Sequence, residues 1–206
     1  VVSSNDDLSD YKVVVAPMLY LLQSGTAENL QKFVKNGGQL LATYFTGYVD
    51  KDTLCYLGGF PGDGLAELFG VISEEIDTLY PSDRNSLCFL DGKKWTVYDY
   101  AEILRVQDAQ ILASYGTDFY EGSAALTVKE WESDTHTGEN GRAYYIAARV
   151  APEEMGSLFE TMLANAGIAV KDLPGEVEYH QRQGEDTTYE FYLNHGKEKS
   201  LIKNVT

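Results

Sequence analysis

The chain has 206 residues, of which 44% are hydrophobic and 23% are charged, and its formal net charge is −16. This composition is typical of a soluble globular chain of one domain plus part of a second, and no apolar run approaches the roughly 18 residues of a membrane-spanning helix. The negative charge argues against nucleic acids and anionic membranes as partners, because both require a basic surface.

The first part of the chain predicts a strand–helix–strand unit. Residues 11–16 are a β-branched apolar run, which is typical of a strand buried on both faces. Residues 24–36 carry apolar side chains at helical spacing, and Gly37 follows them as a helix stop. Residues 39–44 predict the next strand. A strand, a helix and a strand in this order indicate a crossover between parallel strands.

A long irregular segment, residues 45–64, follows the second strand and is rich in Gly, Tyr and Asp. Loops of this length in compact domains are commonly functional or contact another surface. Its aromatic side chains suit protein interfaces and sugar faces alike, and packing on their own domain explains them equally well. The candidate interface or substrate-cavity-wall residues are Tyr44, Phe45, Thr46, Tyr48, Asp50, Tyr56 and Phe60.

After this loop the pattern consists mostly of strands. A short helical turn is predicted at residues 65–69, and the clearest helix of the chain at residues 151–166. Strands are predicted between them at residues 86–90, 94–98, 110–115, 124–131 and 141–148. The first two and the last two of these strands are expected to form hairpins.

The sequence pattern changes at Pro174-Gly175, which indicates a domain boundary. Short strands are predicted beyond it at residues 177–183, 187–194 and 200–205. We therefore assign residues 1–174 to an α/β domain and residues 175–206 to the start of an all-β domain. Both ends are expected to be truncations, because a doubly wound domain normally opens with a strand and a helix, and short strands alone bury little apolar area.

No catalytic or cofactor-binding motif emerges from the sequence. Neither a dinucleotide-binding fingerprint nor a phosphate loop is present, and the histidines are scattered, so neither a cofactor nor a metal is expected. A nucleophile elbow after the second strand would fall on residues 44–48, which contain no Cys or Ser. Cys55 and Cys88 are predicted to be reduced, partly buried thiols, which favours a cytoplasmic protein.

Four stretches resemble one known family. They are residues 11–22 (YKVVVAPMLYLL), 37–50 (GGQLLATYFTGYVD), 57–62 (LGGFPG) with the following 65–70, and 141–150 (GRAYYIAARV). In this order they resemble the central domain of glycoside hydrolase family 42 β-galactosidases over most of residues 1–174. Residues 176–206 resemble the start of the small C-terminal β domain of that family.

The resemblance implies a non-catalytic domain that assembles a β-galactosidase into a homotrimer. In that family a separate N-terminal (β/α)₈ barrel carries both catalytic glutamates, so no catalytic residue is assigned to this chain. The implied fold is a three-layer α/β domain with a mainly parallel sheet, which is flavodoxin-like and similar to class I glutamine amidotransferases without their nucleophile. The implied partners are identical copies and the catalytic barrel of the parent enzyme.

Two other functions remain open at the level of sequence. One is a stand-alone amidotransferase-like hydrolase that uses Cys55 or Cys88, whose thiolate would react quickly at neutral pH. The other is a sugar-binding module that uses the aromatic side chains of the loop. In that case galactose would quench the intrinsic fluorescence of the protein.

Overall fold

The computed structural model describes residues 1–133, 140–171 and 173–199. The chain divides into two compact units, Val1–Ile168 and Ala169–Thr206. The strand predicted at residues 200–205 lies outside the described residues. No α-helix in the described part of the chain has both the length and the apolar composition that a membrane crossing requires.

The first unit begins with the predicted crossover. Its elements are β1 (Val13–Ala16), α1 (Thr26–Lys35) and β2 (Gln39–Thr43). β1 and β2 pair in parallel, with Val13 opposite Gln39, as expected. α1 forms because its apolar side chains recur on one face, where Leu30, Phe33 and Val34 are buried against the sheet.

The remaining elements of this unit are mostly strands. They are α2 (Leu65–Phe69), β3 (Val71–Thr78), β4 (Asn85–Phe89), β5 (Lys94–Val106), β6 (Gln110–Tyr115), β7 (Ala124–Trp131), β8 (Gly141–Ile146), β9 (Ala148–Val150) and α3 (Gly156–Asn165). Every predicted strand of this region is present, and both predicted hairpins are antiparallel pairs. The predicted helix at residues 151–166 begins with a 3₁₀ turn at Pro152–Met155, so the α-helix itself starts later.

The strands form one mixed sheet in the order β1-β2-β8-β7-β6-β4-β5-β3, and β9 pairs with β5. β1, β2 and β8 run parallel, whereas all other pairings are antiparallel. The expectation of a mainly parallel sheet is therefore wrong. Parallel neighbours need a long crossover, usually a helix, and the connections between β3 and β7 are too short to provide one.

Helices cover both faces of the sheet. Leu40 of β2 packs in the same apolar cluster as α1 and α2, whereas its neighbour Leu41 packs in the second cluster with Leu158 and Met162 of α3. Successive side chains of a strand point to opposite faces, so α1 and α2 lie on one side and α3 on the other. The fold is α/β, with few helices and a large sheet.

β5 is the longest strand and pairs with three others. It pairs with β4 near its start, with β9 in the middle and with β3 over its second half. The pairing with β9 shifts register between Tyr98 and Ala101, and Asp99 between them has a φ of +51°. This irregularity is a β-bulge, which bends a strand and lets it change partners.

The second unit contains an antiparallel pair, β10 (Val177–Gln183) and β11 (Thr188–Asn194), as predicted. Tyr189, Phe191 and Leu193 alternate along β11 and are all exposed.

Candidate functional site

The turn that follows β2 has an unusual backbone. Phe45 has a φ of +61°, a conformation that is uncommon for a bulky side chain. Gly47 has a φ of +67°, and its carbonyl oxygen accepts a hydrogen bond from the amide of Gly62 at 2.8 Å. The hydroxyl of Thr46 donates to the carbonyl of Thr43 at 2.7 Å. Uncommon backbone conformations of this kind persist where contacts with the surrounding structure hold them in place.

The residue that fixes this turn is Glu102 of β5, which is completely buried. Its Oε1 accepts hydrogen bonds from the amide of Phe45 at 2.9 Å and from the hydroxyl of Tyr48 at 2.8 Å. Its Oε2 accepts a hydrogen bond from the hydroxyl of Tyr145 at 2.7 Å. One carboxyl group therefore ties the loop after β2 to β5 and β8.

All three donors to Glu102 are neutral, which sets the electrostatics of the site. Burial raises the pKa of Glu102, and the hydrogen bonds from Phe45, Tyr145 and Tyr48 oppose this shift without cancelling it. Burial, and then the nearby charge of Glu102, raise the pKa of both Tyr48 and Tyr145. The two phenols therefore keep their protons and remain donors at physiological pH.

The aromatic rings of the loop form one continuous cluster. The ring of Tyr48 stacks on Phe60 with centroids 4.0 Å apart and on Tyr20 at 5.8 Å. Phe45 meets the edge of Tyr48 at 5.6 Å and of Tyr100 at 5.0 Å. Such aromatic pairs contribute about 0.5–1.5 kcal/mol each beyond the area they bury.

Most of the candidate residues lie together in the structure, where they pack against their own domain. Tyr44, Thr46 and Tyr48 are buried. The half-buried candidates are Phe45, Asp50, Tyr56 and Phe60. The first group is occupied with internal packing, so only the second group retains surface for an interface or a cavity wall.

The tip of the loop exposes aliphatic side chains that the sequence analysis did not select. Oδ1 of Asp50 accepts hydrogen bonds from the amides of Asp52 and Leu54 at 2.9 and 3.0 Å, which closes a tight turn. Leu54 at the end of this turn and Leu57 three residues beyond it are exposed to solvent. Their apolar character is visible in the sequence, but their exposure depends on the turn geometry.

The cysteines differ from each other in exposure. Cys88 is half-buried as predicted, whereas Cys55 is exposed, so the prediction of partial burial is wrong for Cys55. The loop backbone turns Cys55 outwards beside Leu54. Among residues 1–133, 140–171 and 173–199, no group of three or more His, Cys, Asp or Glu side chains could hold a metal ion.

A family model described as "Beta-galactosidase trimerisation domain" matches residues 1–169. The chain belongs to this family. The resemblance drawn from the sequence is thereby confirmed, and the match covers the whole of the first compact unit.

Curated relatives of this trimerisation domain are β-galactosidases. The chain is 37% identical to Beta-galactosidase Pbg of Clostridium perfringens over 98% of its length, and 37% identical to Beta-galactosidase BglY of Alicyclobacillus acidocaldarius over 94%. It spans only 30% and 28% of these two proteins.

Solved structures show the same fold as this trimerisation domain. The β-galactosidase from Bacillus circulans sp. alkalophilus superposes with a TM-score of 0.87 at 32% identity, over 96% of this chain and 29% of that one. A catalytic mutant of Gan42B, a GH42 β-galactosidase from G. stearothermophilus, superposes with a TM-score of 0.82 at 34% identity, over 91% and 27%.

Proposed function

We propose that this chain is the trimerisation domain of a β-galactosidase that hydrolyses terminal β-D-galactosides. The family match over residues 1–169 carries the proposal. The relatives named β-galactosidase are more than three times as long as the part that matches, which leaves room for a separate catalytic domain. That domain would supply the pair of carboxylates that glycoside hydrolysis requires.

The partners of this domain are two identical copies and the catalytic barrel of the parent enzyme. Phe45, Asp50, Tyr56 and Phe60 retain exposed surface for such contacts. Tyr44, Thr46 and Tyr48 lie behind them and shape the loop. In this arrangement the loop also forms part of the wall of the substrate cavity.

The proposed domain layout keeps residues 1–174 as the trimerisation domain and residues 175–206 as the start of a C-terminal β domain. The helices on both faces of the sheet support a three-layer, flavodoxin-like relationship to class I glutamine amidotransferases. The positive φ of Phe45 supports it too, because a nucleophile elbow places its central residue on a sharp, strained turn after a strand. We place the parent enzyme in the cytoplasm.

The experiment that tests this function is sedimentation velocity on the full-length protein, combined with an assay on a chromogenic β-galactoside. We expect a concentration-independent trimer that hydrolyses the substrate. The chain without the rest of the parent should have no such activity. A parent that stays monomeric at micromolar concentration would contradict the assembly role, and one that cleaves no β-galactoside would contradict the enzyme class.

No specific observation favours the alternative functions. Cys88 contacts the hydroxyl of Ser86 at 3.5 Å rather than a base that could activate it. The rings of Tyr48 and Phe60 stack on each other, so these faces are not free to stack on a sugar.

A further inference from the structure

A cavity of about 390 Å³ lies between α3 and the face of the sheet that α3 covers. Its volume is within the range of small-molecule sites in proteins. We propose that this cavity, which we call the α3 cavity, binds an organic carboxylate with an apolar body. The inference goes beyond the proposed assembly function and does not depend on it.

The walls of the α3 cavity are mainly apolar and belong to elements that already pack together. Strands β4 to β7 and helix α3 contribute Phe89, Trp95, Leu112, Leu126, Val128 and Leu158. Phe89 meets the ring of Trp95 edge to face, with centroids 4.6 Å apart. A largely preformed apolar cavity with a few polar groups is the usual form of a ligand site.

Two hydrogen-bond donors in these walls lack an acceptor. Nε1 of Trp95 is buried, and no described residue accepts a hydrogen bond from it. The hydroxyl of Tyr144 accepts a hydrogen bond from the side-chain amide of Asn165 at 3.1 Å, while no described residue accepts its own proton. Burial raises the pKa of Tyr144, so the phenol keeps this proton. Buried polar groups nearly always have a partner, and oxygen atoms of an occupant can supply the missing acceptors.

The charges around the α3 cavity favour an anion, although the chain as a whole is strongly acidic. Two basic side chains, Lys93 and Arg142, line the cavity, against one acidic side chain, Asp91. The ammonium group of Lys93 donates to the hydroxyl of Ser157, and no described carboxylate pairs with it. Oδ1 of Asp91 accepts from the backbone amide of Lys93 at 2.9 Å, so this oxygen is already engaged in the turn.

Arg142 offers further donors to an anion. Its Nη2 donates to Oε1 of Glu130 at 2.7 Å. A guanidinium group has five N–H donors in a fork that matches a carboxylate, so this one bond leaves others available. Tyr144 lies two residues further along β8, so its side chain is on the same face of the sheet.

These features select an amphipathic anion over a neutral sugar. The apolar body of the ligand would contact the side chains of Leu126, Val128 and Leu158, and its carboxylate would lie at the basic edge. A sugar would place hydroxyl groups against the same apolar walls, and burial of a polar group without a hydrogen bond is unfavourable.

Calorimetric titration of the full-length protein with octanoate tests the proposal. We expect octanoate to bind, and 1-octanol to bind roughly fivefold more weakly because it lacks the charge. Lys93→Gln should weaken octanoate binding by a similar factor and leave octanol binding unchanged. Lys94→Gln is the matched control, because it removes the neighbouring charge at a residue that does not line the cavity. It should bind octanoate as the wild type does.

Thr161→Phe tests the location through shape instead of charge. Thr161 is an exposed residue of α3 at the edge of the cavity, so a larger ring there should block entry without disturbing the core. We expect this variant to lose octanoate binding and to keep the far-ultraviolet circular dichroism of the wild type. The proposal is overturned if the wild type binds no octanoate up to millimolar concentration, or if the wild type, Lys93→Gln and Thr161→Phe bind it equally well.

Discussion

Truncation of the buried carboxyl group in Glu102→Ala should destabilise the domain strongly. The change leaves the amide of Phe45 and the hydroxyls of Tyr48 and Tyr145 without their acceptor. A buried donor left unsatisfied costs about 1–3 kcal/mol. Tyr48 can turn to the hydroxyl of Ser73, which lies 3.3 Å away, and removing a buried charge offsets part of the loss. We therefore expect a loss of about 4 kcal/mol in the free energy of unfolding.

Glu102→Gln separates the charge of this group from its shape. The amide oxygen can accept from Phe45 and Tyr48 as Oε1 does, and the amide nitrogen can donate to the hydroxyl of Tyr145. The pKa of Glu102 is raised in the folded state, so its contribution to stability is fully present below the ordinary value of 4.5 and falls as the pH rises towards the raised pKa. The Gln variant lacks this fall, and its stability relative to the wild type should improve as the pH increases.

Urea denaturation between pH 4 and pH 8, followed by near-ultraviolet circular dichroism of the aromatic cluster, measures both effects. Comparison of each variant with the wild type at the same pH cancels the titration of all other groups. A Glu102→Ala variant within about 1 kcal/mol of the wild type would refute the hydrogen-bond argument, since each orphaned donor alone should cost that much. A Gln–wild-type difference that does not change with pH would refute the assignment of a raised pKa.

Two further predictions concern the interface and the core. Phe60→Asp should weaken the trimer in sedimentation experiments, because it replaces a half-buried ring of the candidate loop with a negative charge. Phe119→Asp, at a more exposed aromatic residue, is the control. Equal trimer dissociation constants for the two variants would contradict the role of the loop. Gly141→Ala should cost about 3 kcal/mol or more in thermal unfolding, because a Cβ there would overlap the carbonyl of Val34. Gly156→Ala has open space around it and should be neutral, so a similar loss in both would contradict the steric explanation.

Periodicity in the sequence was sufficient to predict α1, β1 and β2 and their parallel pairing. It was also sufficient for the hairpins, because an Asp-Gly turn and alternating side chains are local signals. The mainly parallel sheet, which came from the family resemblance rather than from periodicity, was wrong, because most strands after β2 are joined by connections too short for a parallel crossover. β3 was also missed, because the polar residues on its exposed face mask the strand pattern.

The buried carboxyl group was missed for a different reason. Glu102 stands between the apolar residues Ala101 and Ile103, which is a signal that an acidic side chain lies in a core strand. Its partners Phe45, Tyr48 and Tyr145 are 57, 54 and 43 residues away in sequence. Contacts over such separations depend on the tertiary fold, and no local spacing reveals them.

The sequence did not show which side chains of the candidate loop are buried. Aromatic content drew attention to Tyr44 and Tyr48, but these rings are buried against their own domain. Leu54 and Leu57 carry less apolar surface each and are the ones left in solvent. Which side chain of an irregular loop is buried depends on its turn geometry, which has no repeating pattern to read.

The three pairings of β5 determine where this domain can accept a change in length. A one-residue insertion in a strand moves every following side chain to the opposite face of the sheet. After the bulge at Asp99, such an insertion would turn Glu102 out of the core and break the pairing with β3. Natural length variants of this domain should therefore place their indels in the tip of the loop, around residues 51–53, and leave residues 100–106 untouched.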